Sequence, residues 1–244
     1  MSKEIFSSVL KSAAEKHDFG GDFLTDEKLN KLYVHAEELA DKGKKFNLTA
    51  ITDTRDVALK HFADCLAAAY KIRELSKNTE QSLLDVGSGA GFPALPIAVM
   101  CENIKVNALD STAKKCAFIS ETAALSGVGI TTYPERAETL AAGELRESFD
   151  FVTARAVARL NVLMELCAGF LKVGGYFVAM KGSAADEEAT EARGAAKKLG
   201  LELFEKCDYE IEECGSHTLL VYKKIAPTPK TYPRPYAKIK KSPL

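Results

Sequence analysis

The chain has 244 residues and a formal net charge of −1, and 46% of its residues are hydrophobic. This length and composition are typical of a soluble globular protein with one α/β domain and an appendage. Since no run of 18 apolar residues and no signal-peptide core are present, the sequence predicts a cytoplasmic protein without a membrane span. The six cysteines contain no C-x-x-C pair, so neither a metal site nor a disulfide framework is expected.

Positive charge is concentrated at the C-terminal end. Seven Lys and Arg residues and no acid lie from Lys223 onward, which leaves −8 for the first 222 residues (−1 minus 7). A basic tail on an acidic body favours a polyanion partner that the tail contacts, but a solubilising end explains the same composition. The prolines between Pro227 and Pro243 predict an extended, flexible tail over residues 226–244 that lies outside any sheet.

Residues 1–78 are predicted to form a helical extension packed on the rest of the chain. Apolar residues recur at helical spacing within 5–10 and 29–40, and the second of these helices is expected to start at Thr25 and to end at Gly43. No periodicity explains residues 44–51. Asp53 or Thr54 then caps a helix that continues to about residue 75.

From residue 79 to 225, predicted strands and helices alternate. Strands are predicted over 82–86, 104–109, 129–133, 149–153 and 174–180, and helices over 93–101, 113–126, 137–142, 157–171 and 184–199. This alternation predicts a parallel sheet with helices on both faces, and the glycines at 174–175 predict a tight turn into the fifth strand. The last two strands, 201–209 and 218–224, have no helix between them and must form an antiparallel hairpin. The expected fold is α/β and Rossmann-like, with the seven-stranded, mostly parallel sheet found in methyltransferases that use S-adenosylmethionine (SAM).

A glycine-rich turn follows the first strand. Residues 85–93 read Asp-Val-Gly-Ser-Gly-Ala-Gly-Phe-Pro and lead into an apolar helix. Glycines at alternate positions let the backbone come close to a nucleotide. A dinucleotide fingerprint requires a glycine where Phe92 stands, whereas the G-x-G-x-G pattern led by Asp85 resembles the first motif of SAM methyltransferases. Gly87, Gly89 and Phe92 are therefore candidate cofactor-binding residues.

Further candidates follow the other strands, because ligands of such sheets bind beyond the carboxyl ends of the strands. Asp110 ends the second strand, where a carboxylate can accept both hydroxyls of a ribose. This role is favoured over the alternative, an acid that caps the next helix. The segment 136–138 can place a backbone amide against an adenine edge. Arg155 follows the fourth strand and requires an anionic partner, either the carboxylate of the cofactor or a phosphate.

The chemistry expected at this edge needs no general base. The fourth strand is followed by neither an Asn-Pro-Pro-aromatic tetrapeptide nor a cysteine nucleophile. A ring nitrogen with a free lone pair, such as guanine N7, needs alignment and desolvation rather than deprotonation. Arg155 and His61 are accordingly candidates for positioning, and no catalytic acid or base is predicted.

Several motifs in order resemble one known family. They are Asn47–Ile51, His61 with Asp64, Asp85–Pro93, Leu109–Ser111, Arg136–Glu138, Thr153–Leu160 and Tyr232–Arg234. Together they resemble the small-subunit rRNA guanine-N7 methyltransferases, also called glucose-inhibited division protein B. The resemblance runs from about residue 40 to 244 and implies a cytoplasmic, SAM-dependent enzyme that methylates N7 of one guanine in bacterial 16S rRNA.

The resemblance also implies site residues and partners. It puts SAM against Gly87, Phe92, Ala137, Glu138 and Arg155. The implied partner is 16S rRNA or the small ribosomal subunit, without membrane contact, and nothing in the sequence demands more than a monomer. Cys65 stands where many relatives have Ser, and residues 235–237 replace the usual Lys and Gly residues after the Tyr-Pro-Arg motif.

Two other functions fit parts of the sequence. An NAD(P)-binding oxidoreductase would share the strand, glycine turn and helix, but Phe92 and the terminal hairpin oppose it. A non-catalytic RNA-binding protein on a methyltransferase fold would share every motif of the sheet.

Overall fold

The computed structural model describes residues 1–17, 23–46 and 48–244. Its helices are α1 (Lys3–Lys16), α2 (Asp26–Phe46), α3 (Thr54–Val57), α4 (Asp64–Ser76), α5 (Ala94–Met100), α6 (Ala113–Leu125), α7 (Ala137–Ala142), α8 (Leu160–Cys167), α9 (Ala185–Glu191), α10 (Arg193–Leu199) and α11 (Tyr236–Lys241). The strands are β1 (Gln81–Val86), β2 (Ile104–Leu109), β3 (Ile130–Tyr133), β4 (Phe149–Arg155), β5 (Leu171–Lys181), β6 (Leu201–Ile211) and β7 (Gly215–Lys224). A π-helical segment, Ala58–Ala63, joins α3 to α4, and a 3-10 turn, Ala168–Phe170, precedes β5.

The described strands form a seven-stranded sheet in the order β3-β2-β1-β4-β5-β7-β6. β1 pairs in parallel with both β2 and β4, and β7 runs antiparallel to both β5 and β6. The order reverses between β1 and β4, which opens a crevice at the carboxyl ends of these strands. The predicted α/β sheet with its antiparallel C-terminal hairpin and N-terminal helices is confirmed.

Two apolar clusters cover the two faces of the sheet. Alternate residues of β1 divide between them, with Leu83 in one cluster and Leu84 in the other. The first cluster also takes buried side chains from the N-terminal helices, such as Phe6 and Phe62. The second takes Ile239 of α11 together with residues of α8 and α10. Among the described helices, none is long and apolar enough to cross a membrane.

Two glycine predictions were wrong. Gly43 does not end α2, which continues to Phe46; a single glycine weakens a helix by about 1 kcal/mol without ending it. The glycine pair at 174–175 does not precede β5 but lies within it, at an irregularity where the register against β4 shifts between the pairs Phe149↔Leu171 and Phe151↔Tyr176. A Cβ on Gly175 would lie 2.6 Å from the carbonyl oxygen of Asp150, so the close approach of β4 requires glycine there.

Other predicted elements changed in extent. The helix expected over 157–171 begins only at Leu160, and the one expected over 184–199 is interrupted at Ala192 between α9 and α10. The prediction of an extended tail was wrong for residues 236–241, which form α11 directly after Pro235. Proline is tolerated at a helix start because its missing N–H needs no partner there. Asn47, the first residue of one quoted motif, lies outside the described residues.

Candidate active site

The glycine turn after β1 is packed tightly against its neighbours. Gly87 has a φ of +77°, and a Cβ on it would lie 2.5 Å from Cγ2 of Val157. The amides of Gly87 and Ser88 donate to the carbonyl of Leu109 at 2.7 and 3.0 Å. Both the backbone conformation and the space therefore require glycine at position 87.

Asp110 ties the turn to the loop that follows β2. Its Oδ2 accepts from the amide of Gly89 at 3.0 Å, and its Oδ1 accepts from the amide of Thr112 at 2.9 Å. The ammonium group of Lys115 lies 3.7 Å from Oδ2. The carboxylate binds the amide of Thr112 just before α6 but does not cap that helix, and it lies at the edge of a cavity.

That cavity, here called the glycine-turn cavity, has a volume of about 280 Å³. Gly87, Asp110, Ala137 and Glu138 all line it, so the structure brings together four residues that the sequence singled out from the ends of β1, β2 and β3. Tyr236 of α11 also lines it, although no sequence motif pointed to this residue.

A second cavity, here called the arginine cavity, has a volume of about 600 Å³. Its polar lining includes Lys60, His61, Asp64, Arg155, Lys181 and His217. Ala156 and Val157 line both cavities, and Ala156 has a φ of +56°, a conformation that a residue with a Cβ rarely adopts. The two cavities therefore share one wall at the end of β4.

Arg155 is the last residue of β4, and its guanidinium is bound within the protein. Nη1 donates to Oδ2 of Asp64 and to the carbonyl of Lys60, both at 3.1 Å. Nη2 lies 3.2 Å from Nδ1 of His61. The sequence predicted that this arginine binds the carboxylate of the cofactor or a phosphate. Its anionic partner in the structure is instead the buried side chain of Asp64, which is 6% exposed.

Asp64 is the centre of a buried polar cluster. The hydroxyl of Tyr209 donates to Oδ1 at 2.6 Å, and Nδ1 of His217 lies 3.3 Å from the same oxygen. Burial alone would raise the pKa of Asp64, but His217, Arg155 and Tyr209 outweigh it and hold this pKa below its usual value. The hydrogen bond to Asp64 in turn raises the pKa of His217.

His61 is held neutral in this cluster. Because Arg155 can only donate, Nδ1 of His61 is the acceptor, and Nε2 carries the proton toward Oγ1 of Thr49 at 3.0 Å. Burial, followed by the charge of Arg155, lowers the pKa of His61 to about 4. With its lone pair already used and its pKa this low, His61 is poorly suited to accept a proton at neutral pH.

Phe92 lies beneath these groups. Its ring stacks between the imidazoles of His35 and His61, with centroid distances of 4.4 and 4.9 Å, and the Arg155 guanidinium carbon lies 5.3 Å above it. The side chain is 5% exposed. Phe92 is therefore the buried ring against which Arg155 and His61 pack.

Sequence reasoning missed two members of the cluster. Tyr209 and His217 face each other across the terminal hairpin, in the register Tyr209↔His217. Neither lies in a motif, and only the pairing of β6 with β7 at the end of the sheet brings them to Asp64. The predicted hairpin could have indicated both residues, because strands that pair beside β5 bring some of their side chains to its carboxyl end.

Comparison with known proteins identifies the family. The family described as rRNA small subunit methyltransferase G (GidB) matches residues 28–212. The ribosomal RNA small subunit methyltransferase G of Clostridium beijerinckii is 42% identical over 224 residues, covering 91% of this chain and 92% of its own. That of Lactobacillus johnsonii is 39% identical over 247 residues and covers 100% of both chains.

Solved structures support the fold. A putative sarcosine dimethylglycine methyltransferase from Galdieria sulphuraria has a TM-score of 0.53 at 14% identity and covers 71% of this chain and 88% of that one. At such low identity, the similarity shows only that the two proteins share the fold of the sheet and its helices. The family match and the full-length relatives together show that this chain belongs to the rRNA small subunit methyltransferase G family.

Proposed function

We propose that this protein transfers the methyl group of SAM to N7 of a specific guanine in 16S rRNA. The observation that carries the proposal is the wall shared by the two cavities, Ala156 and Val157. A cofactor in the glycine-turn cavity and a nucleotide in the arginine cavity would meet there. This arrangement allows direct transfer between two bound ligands.

The glycine-turn cavity fits the cofactor. Gly87 lets the turn pack directly against Val157 at the edge of the cavity, and the buried carboxylate of Asp110 stands at the end of β2, where such folds hold a ribose. Each oxygen of Asp110 accepts one amide bond, which leaves a lone pair on each for a hydroxyl. SAM, when bound, supplies a methyl group on a positively charged sulfur.

The predicted cofactor residues have distinct roles in the proposal. Asp110 accepts the ribose hydroxyls, the backbone of Ala137 and Glu138 faces the adenine edge, and Gly87 and Gly89 let the chain pass close to the cofactor. Arg155 and His61 lie on the other side of the shared wall, in the arginine cavity, where both pack against the ring of Phe92. None of them moves a proton.

The arginine cavity suits a guanine nucleotide. Lys60 lines it beside Asp56 and is 40% exposed, so it can turn towards a phosphate, whereas Lys181 is held by Glu188 at 2.7 Å. The N7 lone pair forms the new bond to the methyl carbon while the carbon–sulfur electron pair stays on sulfur, so no base is required. The positive charge passes from the sulfonium to the methylated ring, so the total charge of the two bound ligands is unchanged.

Transfer of labelled methyl from SAM to 16S rRNA or to small subunits, followed by mapping of the modified base, tests the proposal. Label on N7 of one guanine supports it, and label on any other atom contradicts it. A protein that binds RNA but consumes no SAM would instead be a non-catalytic RNA-binding protein. Binding of NADH in place of SAM in a titration would favour an oxidoreductase.

The proposal also covers the oligomeric state of the protein, its cellular compartment and the form of its RNA substrate. We expect the protein to act on 16S rRNA or the small ribosomal subunit, because its relatives are named for the small-subunit RNA. We further expect it to act as a monomer in the cytoplasm, as the sequence predicts. Sedimentation of the protein alone and with small subunits measures both the oligomeric state and the preferred substrate.

A further inference from the structure

The C-terminal segment contributes to the glycine-turn cavity. We propose that Tyr236, the first residue of α11, binds the adenosine end of the cofactor and closes that end of the cavity. The inference rests on the proposed use of SAM and gives the tail a second role, in cofactor binding, besides the RNA contact expected from its charge.

The segment before Tyr236 is fixed to the domain by one arginine. The guanidinium of Arg146 donates to the carbonyls of Thr228, Pro229 and Tyr232. Three carbonyls of one segment converge on a single side chain, which determines the path of the chain from β7 towards the cavity. An arginine fork suits this task because its donors are rigidly arranged.

A second anchor lies next to Tyr236 itself. The backbone amide and Nε of Arg234 both donate to Oε1 of Glu165, at 2.9 and 2.8 Å, and Nη2 donates to Oε2 at 2.6 Å. The side chain of Glu165 is fully buried. Three charge-assisted bonds to a buried carboxylate fix the position of Arg234. Tyr236 lies only two residues further along the chain, so its position is restricted as well.

A third anchor follows Tyr236. Ile239, one turn further along α11, is fully buried in the second apolar cluster. Tyr236 is therefore held between the Arg234–Glu165 pair on one side and Ile239 on the other. A short helix at the end of a chain frays unless it is tied in this way.

The ring of Tyr236 joins the residues that follow β3. The guanidinium carbon of Arg136 lies 4.6 Å from the centre of this ring, and Nε of Arg136 donates to Oε1 of Glu138 at 3.1 Å. Tyr236, Arg136 and Glu138 thus form one wall of the cavity. Because β3 is the strand farthest from β4 in this half of the sheet, the wall lies opposite the end where methyl transfer is proposed.

Planar groups in this wall match the chemistry of adenine. A tyrosine ring and a guanidinium both pack against the face of a base, and such contacts favour any purine of the right size. Asp110 on the same cavity fixes the ribose, so the adenine is directed towards the Tyr236 wall. The class of ligand recognised by this residue is an adenine nucleoside, with or without the amino-acid arm.

Calorimetry with two ligands tests the inference. S-adenosylhomocysteine carries the whole cofactor frame, and 5′-methylthioadenosine lacks the amino-acid arm. Tyr236→Leu, which keeps apolar bulk but loses the ring, should weaken both ligands by about tenfold. Tyr236→Phe should bind both nearly as the wild type does. Ala237→Ser, an exposed change in the same helix, should leave both affinities unchanged.

The outcomes separate this inference from the proposed function. A folded Tyr236→Leu protein with wild-type affinity for both ligands would overturn the inference alone. Loss of S-adenosylhomocysteine binding without loss of 5′-methylthioadenosine binding would also overturn it, since the ring would then serve the other end. A wild-type protein that binds neither ligand would instead refute the proposed cofactor. Thermal unfolding of each variant checks that α11 remains folded.

Discussion

Replacing Asp64 with Asn should destabilise the protein strongly. The carboxylate is 6% exposed, and it neutralises Arg155, whose own side chain is 17% exposed. Removing one partner of a buried ion pair leaves the other charge uncompensated, at a cost of about 3–5 kcal/mol. We expect about 3 kcal/mol, the lower end of this range, because Asn still accepts hydrogen bonds from Tyr209.

Urea unfolding measures this loss. With an m-value of about 3 kcal/mol/M for a chain of this size, the midpoint should fall by about 1 M. Asp56→Asn is the matched control, since its partner Lys60 is on the same run of helix and both side chains are 40% exposed. An exposed pair of this kind contributes at most about 1 kcal/mol. An Asp64→Asn loss no larger than that of the control would refute the role of the cluster.

The same experiment has a pH dependence with a definite sign. Asp64 raises the pKa of His217, so this interaction stabilises the folded protein fully below the unfolded pKa of about 6.5. It is lost as the pH rises through the folded pKa of His217. The difference between the wild type and Asp64→Asn should therefore be larger at pH 6 than at pH 9. A difference that grows with rising pH would contradict the assignment.

Three further predictions concern function. Asp110→Ala should weaken SAM binding about ten- to a hundredfold by calorimetry, because it removes a charged acceptor, and unchanged binding in a folded variant would exclude the ribose role. The single-turnover methyl-transfer rate should stay flat from about pH 6 to 8.5, since the pKa of His61 is about 4; a single ionisation that disappears in His61→Ala would show that a base exists. Replacing the exposed Lys238, Lys240 and Lys241 with Ala should make the negative slope of log K for RNA against log salt shallower by about 2. An unchanged slope would exclude these lysines from the RNA contact.

The sheet and the glycine-turn cavity were largely predictable because both follow local rules. Apolar periodicity gave strands and helices, and the carboxyl ends of parallel strands share one edge of a sheet. Gly87, Asp110 and Ala137 lie after three different strands, yet this rule alone placed them around one cavity. The glycine pair was placed before β5 rather than within it because glycine marks both turns and irregularities inside strands.

The arginine cavity was not predictable in the same way. The partner of Arg155 comes from a helix 91 residues earlier in the chain, and Tyr209 and His217 arrive from the hairpin. No local sequence pattern predicts an ion pair between residues so far apart in the chain. The tail was likewise assessed by composition, which shows its charge but not that Arg234 is bound to a buried carboxylate and Ile239 to the apolar core.

The wall formed by Ala156 and Val157 has a thermodynamic consequence. Since it faces both cavities, a change in its position made by one ligand alters the space offered to the other. The resulting coupling free energy is reciprocal: whatever factor the cofactor applies to the affinity for RNA, RNA applies to the affinity for the cofactor. Ala156 holds a left-handed backbone conformation that costs about 1–2 kcal/mol in a residue with a Cβ. Strain of this size persists only where the surrounding structure holds the residue in place, so the packing around Ala156 fixes the wall that both ligands would meet.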